Sequence, residues 1–273
     1  IVGYGKLGGI ELGYTSDLDL VFIHGGDPEQ STDGEKPIDN AVFFTRLGQR
    51  IVHILNTQTP AGQLYEVDMR LRPSGNSGLL VSTLSAFDKY QRNDAWTWEH
   101  QALARARGVA GCRDTLKAFE ALRESILCQS RDRQALRDEV LAMREKMRSA
   151  LGTSIISGQT PEVFHVKHDN GGIVDIEFMV QYLMLAYSSE FPELTHYSDN
   201  IRQMEELGRV GVISVESAQG LREAYITLRS TIHRRALQNL NSQVPEDAFR
   251  DERAYIQAIW NRVMLDEPGT SYP

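Results

Sequence analysis

Apolar and polar positions change rhythm along this chain, first in short bursts and then in long helical stripes. Ile1-Val2 and the run Asp17–Ile23, apolar from Leu20 onward, are bounded by glycine and polar residues and predict buried strands. From about Asp39 to Asn56, Phe43, Phe44, Leu47, Ile51, Ile54 and Leu55 recur at helical spacing, with Asp39 or Asn40 as cap. Thr57–Gly62 reads as a turn, and Leu64–Leu71 as a strand stopped by Pro73-Ser74-Gly75-Asn76-Ser77-Gly78. A strand at Leu79–Val81 and helices near Ser85–Gln91 and Ala95–Arg107 follow. From about Arg131 the pattern turns helical, with Leu136, Val140, Met143, Met147 and Leu151 on one stripe. Ile173–Tyr187 is apolar nearly all round, which predicts a central buried helix, and further helices are expected over Asp199–Val210, Val215–Leu240 and Glu246–Val263. The expected architecture is α+β: a mixed sheet with helices over residues 1–125, then an all-α helical bundle over 126–273.

Candidate chemistry concentrates where the second strand begins. Gly8-Gly9 is followed by Ser16-Asp17-Leu18-Asp19, and side chains at i and i+2 of a strand point to one side. Asp17 and Asp19 can therefore share one hard cation, as suits Mg²⁺ held against a nucleoside triphosphate. The plainer alternative is a turn whose aspartates cap a helix or face water. On the later strand, Glu66, Asp68, Arg70 and Arg72 alternate with Tyr65, Val67, Met69 and Leu71, which are expected to face a core. That polar row is either a salt-bridge ladder or a third metal carboxylate, Asp68, beside two guanidiniums suited to phosphate oxygens.

A rival motif overlaps the first. Gly3-Tyr4-Gly5-Lys6-Leu7-Gly8 fits G-x-G-x-x-G, but the next strand comes too soon, and the residues where a ribose-binding acid belongs form a polar loop, Gly25–Ser31. Lys6 is followed by Leu7 instead of Ser or Thr, so a P-loop is also excluded. Composition narrows the partners. The chain has 273 residues, 41% hydrophobic, enough for a sizeable core and two domains, and its formal charge of −8 argues against a nucleic-acid face. No apolar run approaches the roughly 20 residues of a membrane helix, and no signal peptide is evident, so no membrane partner is expected and the expected compartment is the cytoplasm. Cys112 and Cys128 show no zinc or disulfide spacing. The chain opens on Ile1-Val2 inside a predicted strand, which leads us to expect a piece of a longer polypeptide.

A glycine pair, D-x-D and a third aspartate on a later strand resemble the polymerase-beta-like nucleotidyltransferase superfamily. Longer strings are more specific. Gly3–Leu12, Ser16–Val21, Tyr65–Gly75, Ala95–Leu103 and Gly171–Phe178 resemble the glutamine synthetase adenylyltransferase family across essentially the whole chain. The resemblance implies AMP transfer from ATP to a tyrosine of glutamine synthetase, with two Mg²⁺ ions on Asp17, Asp19 and Asp68, and Asp68 as base. It implies Lys6, Gly8, Gly9, Ser16, Arg70 and Arg72 on the nucleotide side. It also implies the PII signal-transduction protein as a regulatory partner and glutamine as an effector. Trp96-Thr97-Trp98-Glu99-His100-Gln101 resembles the C-terminal, AMP-attaching half of a two-headed protein. An adenylyl-removing half and a non-catalytic nitrogen-sensing module are the alternatives.

Several residues have plainer readings. Ser16 either donates to phosphate or caps the strand, and Lys6 either neutralises phosphate or is solvated. Glu66 is expected to pair with Arg70 or Lys6, Trp96 and Trp98 to pack, and His100 to serve structure more readily than chemistry. Asp175 and Glu177 suit a helix start electrostatically, with Lys167 as a partner, while the resemblance leaves a regulatory contact open.

Overall fold

The computed structural model describes residues 1–153 and 161–266. The chain divides into two compact units, Ile1–Leu127 and a second that begins at Cys128.

The first unit is a small mixed sheet with helices. Its strands are β1 (Val2–Gly3), β2 (Leu18–His24), β3 (Gln58–Thr59), β4 (Gly62–Gln63), β5 (Val67–Asp68), β6 (Val81–Thr83) and β7 (Arg107–Gly108). Its helices are α1 (Gly5–Gly8), α2 (Asn40–Asn56), α3 (Leu84–Asn93), α4 (Thr97–Ala104) and α5 (Arg113–Leu127). β2 is the spine because its apolar run can be buried on both faces. One edge pairs antiparallel with β1, which pairs in turn with β7; the other pairs parallel with β5 and, further along, β6. Leu18, Leu20, Phe22 and Val81 form its core, against which Phe44, Ile51, Val52 and Leu55 of α2 pack.

That core uses only part of the expected α2 stripe. Phe43, Leu47 and Ile54 stay 42%, 44% and 61% exposed. The strand expected over Leu64–Leu71 shrinks to Val67–Asp68, because the Arg70 N–H donates to the Asp68 carboxylate at 2.8 Å instead of to a neighbouring strand. Helix α4 starts late, where Glu99 reaches back to accept from the Trp96 N–H at 2.9 Å, and Arg107, expected in that helix, lies in β7. Helix α5 was not anticipated.

The second unit is largely helical: α6 (Arg133–Leu151), α7 (Ile173–Tyr187), α8 (Asn200–Arg209), α9 (Val215–Leu237) and α10 (Arg250–Trp260), the last running on into a π-turn at Asn261–Leu265. Helix α7 is buried along nearly its whole length and packs on α6, α8, α9 and α10. α9 and α10 approach so closely that a Cβ on Gly220 would lie 2.4 Å from the Tyr255 ring. The expectation of an all-α unit is corrected by a two-stranded ribbon, β8 (Val163–His165) with β9 (Gln243–Pro245). β-Branched Val163 and Val244 and the buried Phe164 suit it.

Candidate active site

The turn before β2 is closed by Ser16, whose Oγ accepts from the Gly13 N–H at 3.0 Å. Asp17 follows, exposed, and Asp19 lies two residues on, inside the strand. Parallel pairing of β2 with β5 then sets Asp19 directly beside Asp68. One carboxylate oxygen from each of Asp17, Asp19 and Asp68 lies within 4.8 Å of the others. Opposite oxygens around an octahedral Mg²⁺ stand about 4 Å apart, twice its roughly 2.0–2.1 Å bond. The three carboxylates therefore have the spacing of a small hard-cation site.

Their charges are unequally served. Asp19 is pushed up to about 6, first by burial and then by the neighbouring charges of Asp17 and Asp68, against the opposing pull of Arg70 and Lys6. Asp68 moves the other way. Arg70 grips it through Nε at 2.7 Å and Nη2 at 2.5 Å to Oδ2, and these bonds outweigh burial to hold its carboxyl below the usual range. Asp68 is thus a poor proton acceptor for as long as Arg70 holds it. The polar row read in the sequence is in part an ion pair, but within one short turn, and Arg70's partner is Asp68, not Glu66. Arg72 is half-buried, its Nη1 donating to Met69 O at 2.7 Å. Lys6 is exposed and near enough to Asp19 to favour its anion.

Glycine is required at the turn for steric reasons. Gly5 has φ +49°, and a Cβ there would stand 2.3 Å from Asp19 Oδ2. The Gly8 and Gly9 N–H groups donate to Tyr4 O and Gly5 O at 2.8 and 3.0 Å. A Cβ on Gly8 would lie 2.1 Å from Arg105 O, and one on Gly9 2.5 Å from Arg105 Nη2. Arg105, its partner Glu11 and nearby Arg107 adjoin this turn, and sequence reasoning missed them. The partners lie 94 positions apart, and neither sits in a periodic pattern that would mark it.

The remaining candidates have partners or surroundings of their own. Gln91 O accepts from the His100 ring at 2.8 Å, a structural bond. Trp96 is 70% exposed, against the expectation that it packs. In the second unit, Asp175 is buried and pairs with Arg144 at 2.6 Å, not with Lys167, while it accepts from the Gly171 N–H at 2.7 Å. Glu177 lies 3.5 Å from the Tyr225 hydroxyl.

Comparison with known proteins bears on this geometry. The chain is 56% identical over 97% of its length to the bifunctional glutamine synthetase adenylyltransferase/adenylyl-removing enzyme of Hahella chejuensis, and also 56% identical over 97% to that of Pseudomonas aeruginosa. It is 55% identical over 97% to the Pseudomonas putida enzyme. These proteins are homologues of the chain. It spans 28% of the length of each. Residues 1–122, which include the whole triad, match the family model described as glutamate-ammonia ligase adenylyltransferase; residues 142–252 match that of GlnD PII-uridylyltransferase. Among the described residues no helix is long and apolar enough to cross a membrane.

Proposed function

We propose that this chain carries the AMP-attaching site of a glutamine synthetase adenylyltransferase, on a polymerase-beta-like nucleotidyltransferase fold. The observation that supports it most directly is the carboxylate triad of Asp17, Asp19 and Asp68, inside the segment that matches the adenylyltransferase family model. The acceptor is a tyrosine hydroxyl of glutamine synthetase, and pyrophosphate leaves. Two Mg²⁺ ions suit the donor set, which is all carboxylate oxygen, and Asp19 strains against its own neighbours in a way a cation would relieve. When bound, the metal supplies charge neutralisation at the triphosphate and acidifies the acceptor hydroxyl.

The chain's own residues do the rest. Lys6, Ser16 and the Gly8-Gly9 turn line the nucleotide side. Arg72, and Arg70 once it turns from Asp68 to phosphate, offset charge building on the departing pyrophosphate. That same rotation frees Asp68 to accept the tyrosine proton, whose ordinary pKa near 10 calls for a base. Grip and release by Arg70 thus link nucleotide binding to the appearance of the base. The Trp96–Gln101 string favours attachment over removal of AMP. We place the PII signal-transduction protein and glutamine as regulatory partners, on the same resemblance.

Incubation with labelled ATP, Mg²⁺ and unmodified glutamine synthetase tests the reading: label should appear on a tyrosine. Release of ADP from AMP-modified glutamine synthetase and inorganic phosphate, with no forward labelling, would assign the chain to the removing half. Neither reaction, with PII or glutamine still bound, would favour a sensing module.

A further inference from the structure

The segment 105–107 holds the glycine turn from one side at three points. Arg105 Nη2 forms an ion pair with Glu11, and both side chains are buried, 6% and 4% exposed. Arg107 donates from Nε to Gly8 O at 3.2 Å and from Nη2 to Leu7 O at 3.4 Å, capping the last carbonyls of α1. Glu11 itself is tied back into the turn, its N–H donating to Lys6 O at 2.7 Å. The holding segment is itself fixed. Arg107 pairs with Gly3 across β7 and β1, and buried Arg123 donates to Leu103 O and Ala104 O at 3.0 and 2.6 Å. The other end of α1 is Gly5, packed on the Asp19 carboxylate. A four-residue helix thus joins the held end to the metal-site end; a Cβ on its last residue, Gly8, would meet Arg105 O and Gly3 O, and one on the following Gly9 would meet the Arg105 guanidinium.

We propose that Glu11, Arg105 and Arg107 form a clamp that fixes the glycine turn against Asp19, making them positioning residues for the nucleotide. The proposal rests on the nucleotidyl-transfer reading above. A buried ion pair contributes little net stability against well-packed neutral groups, so its presence suits a role in fixing geometry.

The test compares Glu11→Gln, the neutral double variant Glu11→Gln/Arg105→Gln, and Arg107→Met in the 273-residue chain. Calorimetry measures ATP affinity with Mg²⁺, and thermal unfolding measures the fold. The single Glu11→Gln removes the carboxylate facing the buried Arg105 guanidinium and should lower the melting temperature, which the double variant should largely recover. Affinity for ATP should nevertheless stay roughly tenfold to a hundredfold weaker in the double variant and in Arg107→Met, the scale of a misplaced positioning group. KM for ATP should rise alongside, while KM for glutamine synthetase holds. A double variant that recovers both stability and wild-type ATP affinity would reduce the clamp to a structural pair and overturn the proposal. Absence of ATP binding by the wild-type chain would instead remove the nucleotidyl-transfer reading, and the clamp's purpose with it.

Discussion

Each unit carries a group of close charges, and these two are built on opposite terms. In the second, Arg144 and Asp175, 0% and 3% exposed, meet at 2.6 Å, and each has a further neighbour: His168 O accepts from Arg144 Nη2, and the Gly171 N–H donates to Asp175. In the first, three carboxylates converge and the guanidinium that grips one of them, Arg70, is itself 74% exposed. Compensated charge of the first kind locks a helix pair, α6 to α7, in one register. Uncompensated charge of the second kind opposes folding, and a sequence that keeps it gains something other than stability. Asp175 was open to a functional reading from its position after a glycine pair; its complete set of partners assigns it to architecture.

The contrast breaks if the triad proves structural. Asp17→Asn with Asp19→Asn should reduce AMP transfer to glutamine synthetase to assay background while the melting temperature stays level or rises, because a like-charge cluster has been dispersed. Mg²⁺ should raise the wild-type melting temperature and leave that of the double variant unmoved. Wild-type labelling by the double variant would remove the metal assignment.

The converse holds for the compensated pair. Arg144→Met leaves Asp175 buried without its cation and should cost roughly 3–5 kcal/mol in denaturant unfolding. Adding Asp175→Leu should return most of that, short of about 1 kcal/mol for the Gly171 N–H that loses its acceptor. A double variant as unstable as the single one would show that the pair contributes through geometry that apolar packing cannot replace.

How much of this was legible in the sequence follows from the range of each interaction. β2 and its two aspartates were readable because a strand's period of two is local, and α7 because its apolar surround is continuous. The alternation along Tyr65–Arg72 put Asp68 on a polar row but left a salt-bridge ladder open, and only the resemblance implied that it joins them; the strand itself proved shorter. Helix α5 was missed because its buried positions include Arg123 among Phe119, Ile126 and Leu127, so a hydrophobic stripe is interrupted by a guanidinium that donates to α4 carbonyls. Arg105 and Arg144 escaped for the same reason: buried arginines look like surface until their partners, 94 and 31 positions away, are known. On α2 the error ran the other way, since periodicity shows which residues share a face and not that anything covers it.

The two guanidiniums of the triad's neighbourhood sharpen the comparison at smaller scale. Arg70→Ala and Arg72→Ala should each weaken ATP binding about tenfold, or about 1.4 kcal/mol, with little change in melting temperature. Lysine should restore only part of this, because a point charge cannot reproduce the paired contacts of a planar fork. Lower stability with unchanged kinetics per folded molecule would favour the salt-bridge reading of Asp68 and Arg70.

The pH dependence of stability is the most direct measure of uncompensated charge. In the unfolded chain Asp19 titrates near the ordinary value of about 3.9, whereas in the fold it is raised to about 6. Between those values the folded state holds a proton that the unfolded state has released, so stability should fall as pH rises from about 4 to about 6 and level off above. Asp68, lowered by Arg70, acts in the opposite sense and lower down: its contribution is present above about 4 and is lost as pH falls through its depressed value. The two windows barely overlap, which lets one titration separate them. Asp19→Asn should flatten the melting-temperature profile between pH 4 and 6, and saturating Mg²⁺ should flatten the wild-type profile in the same interval, since a bound cation favours the anion that burial penalises. A wild-type slope that survives Asp19→Asn would mean that another group carries it, and that the strain attributed to the triad is not there.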